Sequence, residues 1–531
     1  MRDLQKPGRS VVMSRHGMAA SSHPLSTLTA INVLQDGGNA MDAAVAACAV
    51  QCVVEPGSTG IGGDCFALYA PRGEDRIVAF NGSGRAPAGA TLELCRATVG
   101  TQEIPRNSPF AVTIPGAVDA WEQLLRDHGT RSLAAMLQPA IRFARDGYPV
   151  TERVHFDWTR QADFLRQNPN ARNLLLVDGE APAIGTIHRQ KVLADTLERI
   201  GKGGRDAFYT GPVAEDMVDY LRELGGPHTL SDFAEARGEY VAPIRTSYRG
   251  HDVVECPPNG QGIIALLILN ILAATPIHPD PLSVERYHLE IEACRLAYAV
   301  RDAAIGDPKH SRIGVAEILS ERFARELRSK IAHGNISDLG THPAQHPRSS
   351  TVYISVVDKD RNAASFINSL FDNFGSGLVA PRSGVVMHDR GVCFSLALGH
   401  ANAIGPGKRP LHTIIPAMLV KDGRVLMSFG VMGGDYQAIG HASFLSNVLD
   451  YAMDIQSAMS VPRVFPLPGT KNIEIELTMP SEVTSALQGM GYELIDRPAP
   501  IGGAQAIAID WENAVLSGAS DPRKDGCAIG Y

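Results

Sequence analysis

At position 351 the chain changes the kind of structure its residues favour. From Pro115 to about Leu327 the apolar residues recur at helical spacing, with candidate helices at Ala117–His128, Arg131–Asp146, Gln190–Ile200, Pro212–Leu224, Gln261–Leu272, Ser283–Ala304 and Val315–Ser329. After Thr351 the pattern turns to β. Thr351–Val357 and Ala363–Leu370 flank Asp358-Lys359-Asp360-Arg361-Asn362 as a hairpin, and strands follow at Pro416–Lys421, Arg424–Phe429, Gln505–Ile509 and Ala514–Gly518. Helices first and mixed elements second, without repeats, point to layered α/β packing rather than separate βαβ domains. Near the N-terminus Asn39 is placed to cap a helix through Ala40–Val53, rich in Ala and Val with no charge after Asp42, that should be buried.

The boundary is marked twice. Arg328 to Ser350 carries His342, Pro343, His346 and Pro347 with no periodicity, which predicts an exposed loop. His342 and His346 are four apart but sit in a proline-broken stretch with no third ligand, so a solvated loop outweighs a metal site. Then comes Thr351. A threonine hydroxyl is inert at neutral pH unless a base lies beside it, and a cut just before Thr351 would supply its own α-amine as that base. A strand-starting threonine needs no such explanation. Position alone favours the structural reading.

Composition removes whole classes of function. The 531 residues carry a net charge of −8, and the segment from Thr351 onward holds 13 basic and 17 acidic residues, half of that imbalance. With charge so evenly spread there is no basic face for nucleic acid or anionic lipid. Eight scattered cysteines in apolar settings predict buried thiols in a reducing compartment. The absence of a signal-like h-region and of any apolar run of 18 residues gives the expectation of a cytoplasmic, non-membrane protein. Gly57–Gly63 lacks the Lys-Ser/Thr of a phosphate loop and predicts a tight turn. Gly433-Gly434, after a strand, offers adjacent N–H groups to a developing oxyanion, though Gly-Gly there is more often a plain turn.

A collinear series of blocks decides among these readings. It runs through Gly37-Gly38-Asn39-Ala40, Glu55-Pro56, Gly62-Gly63-Asp64, Pro115-Gly116, Gly306-Asp307-Pro308, Phe374-Gly375-Ser376-Gly377, Gly407-Lys408-Arg409-Pro410, Gly433-Gly434 and Ala519-Ser520-Asp521-Pro522-Arg523. By these the chain resembles the γ-glutamyltransferase (γ-glutamyltranspeptidase) family of N-terminal nucleophile hydrolases. The resemblance implies a four-layer αββα sandwich with a mainly helical N-terminal portion. It implies one precursor cut at Ser350–Thr351 into a large subunit (1–350, ending in a flexible linker over 328–350) and a small one (351–531), interlocked as one domain. It also implies catalysis by Thr351, Ser369 as the hydroxyl bonded to it, Gly433 and Gly434 as the oxyanion pair, and no cofactor or metal. The partners implied are a small amide substrate and the two subunits of one precursor, with a homodimer left open.

Departures from the family pattern concentrate in the substrate grip. The family holds a γ-glutamyl α-carboxylate with an Arg and two Ser, and the α-amine with an acid. Here the Arg position is Ser83, with Arg85 two residues on; the Ser pair is His412-Thr413, the acid is Cys393, and a helping Asn is Phe371. Asp435 joins these as a substrate contact. Serine cannot replace a bidentate guanidinium. The pattern is similar to the cephalosporin acylase-like branch. The leading expectation is an autoprocessed N-terminal-threonine hydrolase or acyltransferase for γ-glutamyl or related acyl amides, glutathione-like donors included. The alternatives are an acylase for a glutaryl or small dicarboxylic amide, favoured by Phe371 and Cys393, and an unprocessed, non-catalytic relative.

Overall fold

In the computed structural model, residues 4–5, 8–310, 314–338, 350–496 and 499–531 are described. The 339–349 part of the expected loop, with His342 and His346, lies outside the described residues. Two seven-stranded antiparallel sheets stack face to face. The first runs, in spatial order, Cys527–Gly530, Met18–Ser21, Ser350–Val357, Ala363–Phe371, Asp64–Ala70, Val78–Gly82 and Glu239–Val241. The second runs Val12–Ser14, Val515–Ser520, Gly503–Asp510, Arg424–Met432, Ala417–Lys421, His251–Glu255 and Ile244–Tyr248. Each sheet takes strands from before and after Thr351.

Alternation along Ser350–Val357 builds the layers. Tyr353 and Val357 point into the core between the sheets, against Met418 and Ile507. Ile354 and Val356 point the other way, into the core shared with helix Ala40–Val54. Every residue of that helix is buried. Its entry is fixed by a capping box: the Asn39 side chain accepts from the Met41 and Asp42 N–H groups, and Asp42 accepts from the Asn39 N–H. The outer face of the second sheet is covered by helix Gly262–Ala273, backed by Val284–Ala304 and Gln437–Leu449. The outcome is the αββα sandwich, helices outside and two sheets within.

Where the structure differs from the pattern, the cause is local. Ile244–Tyr248 and His251–Glu255 lie in the stretch read as helical. Polar residues fill their exposed face, and they form the edge of a sheet whose other strands come from far along the chain. The helix expected over Val315–Ser329 is two helices, Val315–Ile318 and Glu321–Arg328, because the Ser320 hydroxyl accepts from the Phe323 N–H and starts a new N-terminus. The helix opening near Gln190 runs on to Tyr209 through a kink at Gly204, whose φ is +63°. All eight cysteines are free thiols, seven of them buried.

Candidate active site

Thr351 sits at a fault in the sheet. Ser350 faces Phe371 and Val352 faces Asn368, so the register slips between them and both Ser369 and Leu370 stand opposite Thr351. Such a bulge re-aims the side chain it carries. Thr351 Oγ1 lies 3.0 Å from Ser369 Oγ, and both residues are wholly buried. The Phe371 N–H donates to Ser369 Oγ at 2.9 Å and fixes that oxygen from behind. To do so Phe371 adopts φ +78°, an uncommon conformation for a bulky residue.

The second wall comes from the other sheet. Strand Arg424–Met432 ends in Gly433 (φ +125°) and Gly434 (φ +58°), and a Cβ on Gly433 would come within 2.9 Å of Gly502 Cα. Gln261 holds this turn: its Nε2 donates to the Gly434 carbonyl at 3.0 Å and to the Thr413 carbonyl at 2.9 Å. Its Oε1 accepts from Arg301 Nη1 at 3.1 Å, and the same nitrogen reaches Asp435 Oδ1 at 2.8 Å. The Asp435 carboxylate therefore anchors the turn through Arg301.

Between the two walls lie Phe371, Thr413 and Arg390. The Arg390 guanidinium stacks 4.1 Å above the Phe371 ring and donates from Nη1 to Thr413 Oγ1 at 2.8 Å. Cys393 closes the same short turn; burial pushes its thiol up to about 12, outweighing the pull of Arg390, so it is neutral at physiological pH. His412 turns away. Its Nε2–H donates to Asp64 Oδ2 at 3.0 Å while Nδ1 accepts from the Ile414 N–H at 3.3 Å. Burial and then Arg390 push His412 down to about 3, so the ring is neutral. Burial alone would raise the Asp64 carboxyl, but His388, His412 and Arg390 outweigh it and hold it below its ordinary value. Asp64 also accepts from the Gly84 and Gly116 N–H groups. It faces Ser369 across the sheet, so this cluster braces the strand that carries Ser369.

The residues expected to grip substrate thus divide. Phe371, Thr413 and Cys393 converge with Arg390. His412 has both ring nitrogens, and Asp435 its Oδ1, committed to the framework. Arg85 is committed as well: it donates to the Gly407 carbonyl at 3.1 Å and pairs with Asp307 and Glu239 at 3.5 Å each. Arg85, expected to reach a substrate carboxylate, stands apart from the cluster around Arg390 and lines a separate cavity with Ser83 and Gly84. Ser83, at the family's Arg position, bonds to Asn81 Oδ1 at 2.7 Å. Sequence reading missed Gln261, Arg301 and Arg390. The first two lie in or beside helices with no motif. Arg390 ends the short polar cluster His388-Asp389-Arg390 between the apolar runs Val385–Met387 and Val392–Phe394, and that cluster was the available signal.

The fold is the αββα sandwich of the N-terminal nucleophile hydrolase type. The gamma-glutamyltranspeptidase family model matches residues 26–531, and the chain belongs to that family. It is 36% identical over 535 residues to the Glutathione hydrolase-like YwrD proenzyme of Bacillus subtilis (strain 168), covering 98% of this chain and 99% of the relative. It is equally similar, at 36% over 535 residues with the same coverage, to the Oxamate amidohydrolase proenzyme of Klebsiella pneumoniae. Among solved structures, cephalosporin acylase from Bacillus halodurans superposes with a TM-score of 0.92 at 37% identity, covering 100% of this chain and 99% of that one.

Proposed function

We propose that the chain is a proenzyme that cuts itself at Ser350–Thr351 and becomes an amidohydrolase with Thr351 as nucleophile. The observation that carries this is the 3.0 Å contact between Thr351 Oγ1 and Ser369 Oγ at a bulge, with Thr351 the second residue of the strand Ser350–Val357. In the precursor, Thr351 Oγ attacks the Ser350 carbonyl carbon. The peptide C–N bond breaks, an ester forms, and the Thr351 nitrogen becomes an amine. Water then hydrolyses the ester, leaving a Ser350 carboxylate and restoring the hydroxyl. In the mature enzyme the α-amine takes the Oγ proton as Oγ adds to a substrate amide carbon, and passes it to the departing amine. The N–H groups of Gly433 and Gly434 stabilise the oxyanion, an effect typically worth about 3 kcal/mol per donor. Water releases the acyl group.

The donor that fits best is an acyl amide without an α-amino group. A γ-glutamyl donor brings an ammonium, yet the family's acid is here the neutral thiol Cys393 and the nearest charge is the cation Arg390. Two similar proteins support amides of other kinds within this family, being named oxamate amidohydrolase and cephalosporin acylase. The relative named glutathione hydrolase-like keeps γ-glutamyl donors as the second reading.

The test of processing is Thr351→Ala, followed by denaturing gels and Edman sequencing. Wild-type protein should give a fragment beginning TVYISV, and the variant a single full-length band without amidase activity. Cleavage in the variant would end the proposal. Turnover of γ-glutamyl anilide against glutaryl anilide separates the two donors; a clear preference for the first restores the glutamyl reading.

A further inference from the structure

Arg390 is charged, wholly buried and incompletely bonded. Its Nη1 is used by Thr413, but Nε and Nη2 have no hydrogen-bond partner among the described residues. Those two nitrogens form one edge of the guanidinium, the edge that clasps a carboxylate side-on with two parallel hydrogen bonds. This protein uses that edge elsewhere: Arg126 Nε and Nη2 take the two oxygens of Asp127, and Arg523 Nε and Nη2 take those of Glu476.

The lack of an anion sets Arg390 apart from its buried counterparts. Arg205, Arg286, Arg295, Arg301, Arg409 and Arg463 are also buried, and each has a carboxylate within ion-pair distance. Arg390 has none among the described residues. Of the neighbouring acids, Asp389 and Asp372 lie 3.3 and 3.8 Å from Arg106, and Asp64 is held by His412. Asp372 Oδ1 and Oδ2 and Asp389 Oδ2 also lack a hydrogen-bond partner among the described residues, yet none of the three acids comes within ion-pair distance of Arg390. Leaving a buried cation without its counter-charge is unfavourable, so a site that keeps one is built for an anion that arrives later.

The position says which anion. Arg390 lies on the Phe371 ring, Phe371 N–H holds Ser369, and Ser369 holds Thr351. On its other side Thr413 shares the Gln261 amide with Gly434. Arg390 therefore stands on the same wall as the hydroxyl pair, three contacts from Thr351. Ser350, the residue before the proposed cut, pairs with Phe371 in the strand ladder.

We propose that Arg390 is the anchor for a carboxylate at the far end of the acyl donor, making the substrate class the monoamides of short dicarboxylic acids. This rests on the amidohydrolase reading above. The anchor takes the place of the family's Arg, absent at Ser83, from a different element of the fold.

The test uses the processed enzyme and malonyl, succinyl and glutaryl anilides. Each is paired with the acyl anilide bearing a methyl in place of the carboxylate. At least one pair should show a 100-fold or greater preference in kcat/KM for the carboxylated donor. In Arg390→Met that ratio should fall below about 5, and Arg390→Lys, which keeps the charge and loses the fork, should lie between. Calorimetric titration with malonate, succinate and glutarate reads the anchor without turnover. Wild type should bind at least one, and Arg390→Met should bind it at least 30-fold more weakly. No preference and no binding in wild type, or a preference surviving in Arg390→Met, overturns the anchor. So does a drop in melting temperature of Arg390→Met with selectivity intact, which would make the new Ser350 carboxylate the partner. If wild type is cut at Thr351 and hydrolyses the neutral anilides without discrimination, the anchor falls and the amidohydrolase stands. If the chain is never cut and no anilide is hydrolysed, the parent reading falls, and the titration still decides the anchor.

Discussion

The Gln261 side chain donates to the carbonyl of Gly434 at 3.0 Å, tying the helical layer to the turn at the end of strand Arg424–Met432. The same nitrogen holds the Thr413 carbonyl, so one amide sets the distance between the oxyanion turn and the pocket wall. Gln261→Ala removes both bonds and leaves two buried carbonyls facing a void. Gln261 acts through the turn, so the expected loss is in kcat, about 10- to 100-fold, with KM changed less than threefold; a missing oxyanion donor sets the upper scale. Steady-state kinetics on the best anilide check this. A rise in KM with kcat intact would show that Gln261 serves binding instead.

Ser369 joins two partners, accepting from the Phe371 N–H and meeting Thr351 Oγ1. Ser369→Ala removes the contact and strands a buried N–H, at a cost of about 1–3 kcal/mol. Self-cleavage should slow at least tenfold, seen as persistent full-length chain on a time course, and the melting temperature should fall. Ser369→Thr keeps the hydroxyl and should process at a rate within a few-fold of wild type. Equal processing by the alanine variant would remove Ser369 from the mechanism.

Gly433 has a backbone only glycine adopts without strain, and its missing Cβ is where Gly502 packs. Gly433→Ala is expected to destabilise by about 1–3 kcal/mol through the dihedral alone. It should displace the turn and remove most amidase activity. Thermal melting and kinetics together check this: a variant that melts like wild type and retains full turnover would show that the turn has no part in stabilising charge.

The layers were legible because periodicity reports burial. Ala117–His128 was read to the residue, and the Ala- and Val-rich stretch after Asp42 was correctly assigned to the interior. Strands Ile244–Tyr248 and His251–Glu255 were not legible, since their pairing partners lie far along the chain and half their side chains are polar. The hydroxyl pair could be placed through the family pattern because it is set by spacing along one hairpin. The bulge beneath it could not, because register is a property of two strands. Arg390 escaped for a related reason: whether a buried cation has a partner is decided by residues from several elements, and a single chain position carries no mark of what it lacks.

Burial at His228 gives the fold a pH dependence with a definite sign. The ring is wholly buried, with Nε2–H donating to the Val112 carbonyl at 2.8 Å. Burial pushes its pKa down from 6.5 to about 4, outweighing the upward pull of the Val112 carbonyl and Asp232. Between those two values the unfolded chain binds a proton that the folded chain refuses. Stability attributable to this residue is therefore complete above pH 6.5. It declines as pH falls, at up to about 1.4 kcal/mol per unit, until the folded ring also protonates near 4. Other buried groups titrate as well, so the informative quantity is a difference. The melting temperature of His228→Asn should fall less steeply than that of wild type from pH 6.5 to 4, the two curves running parallel above pH 7. Parallel curves across the whole range would mean that His228 is protonated in the folded state, or that its burial is relieved before the ring titrates.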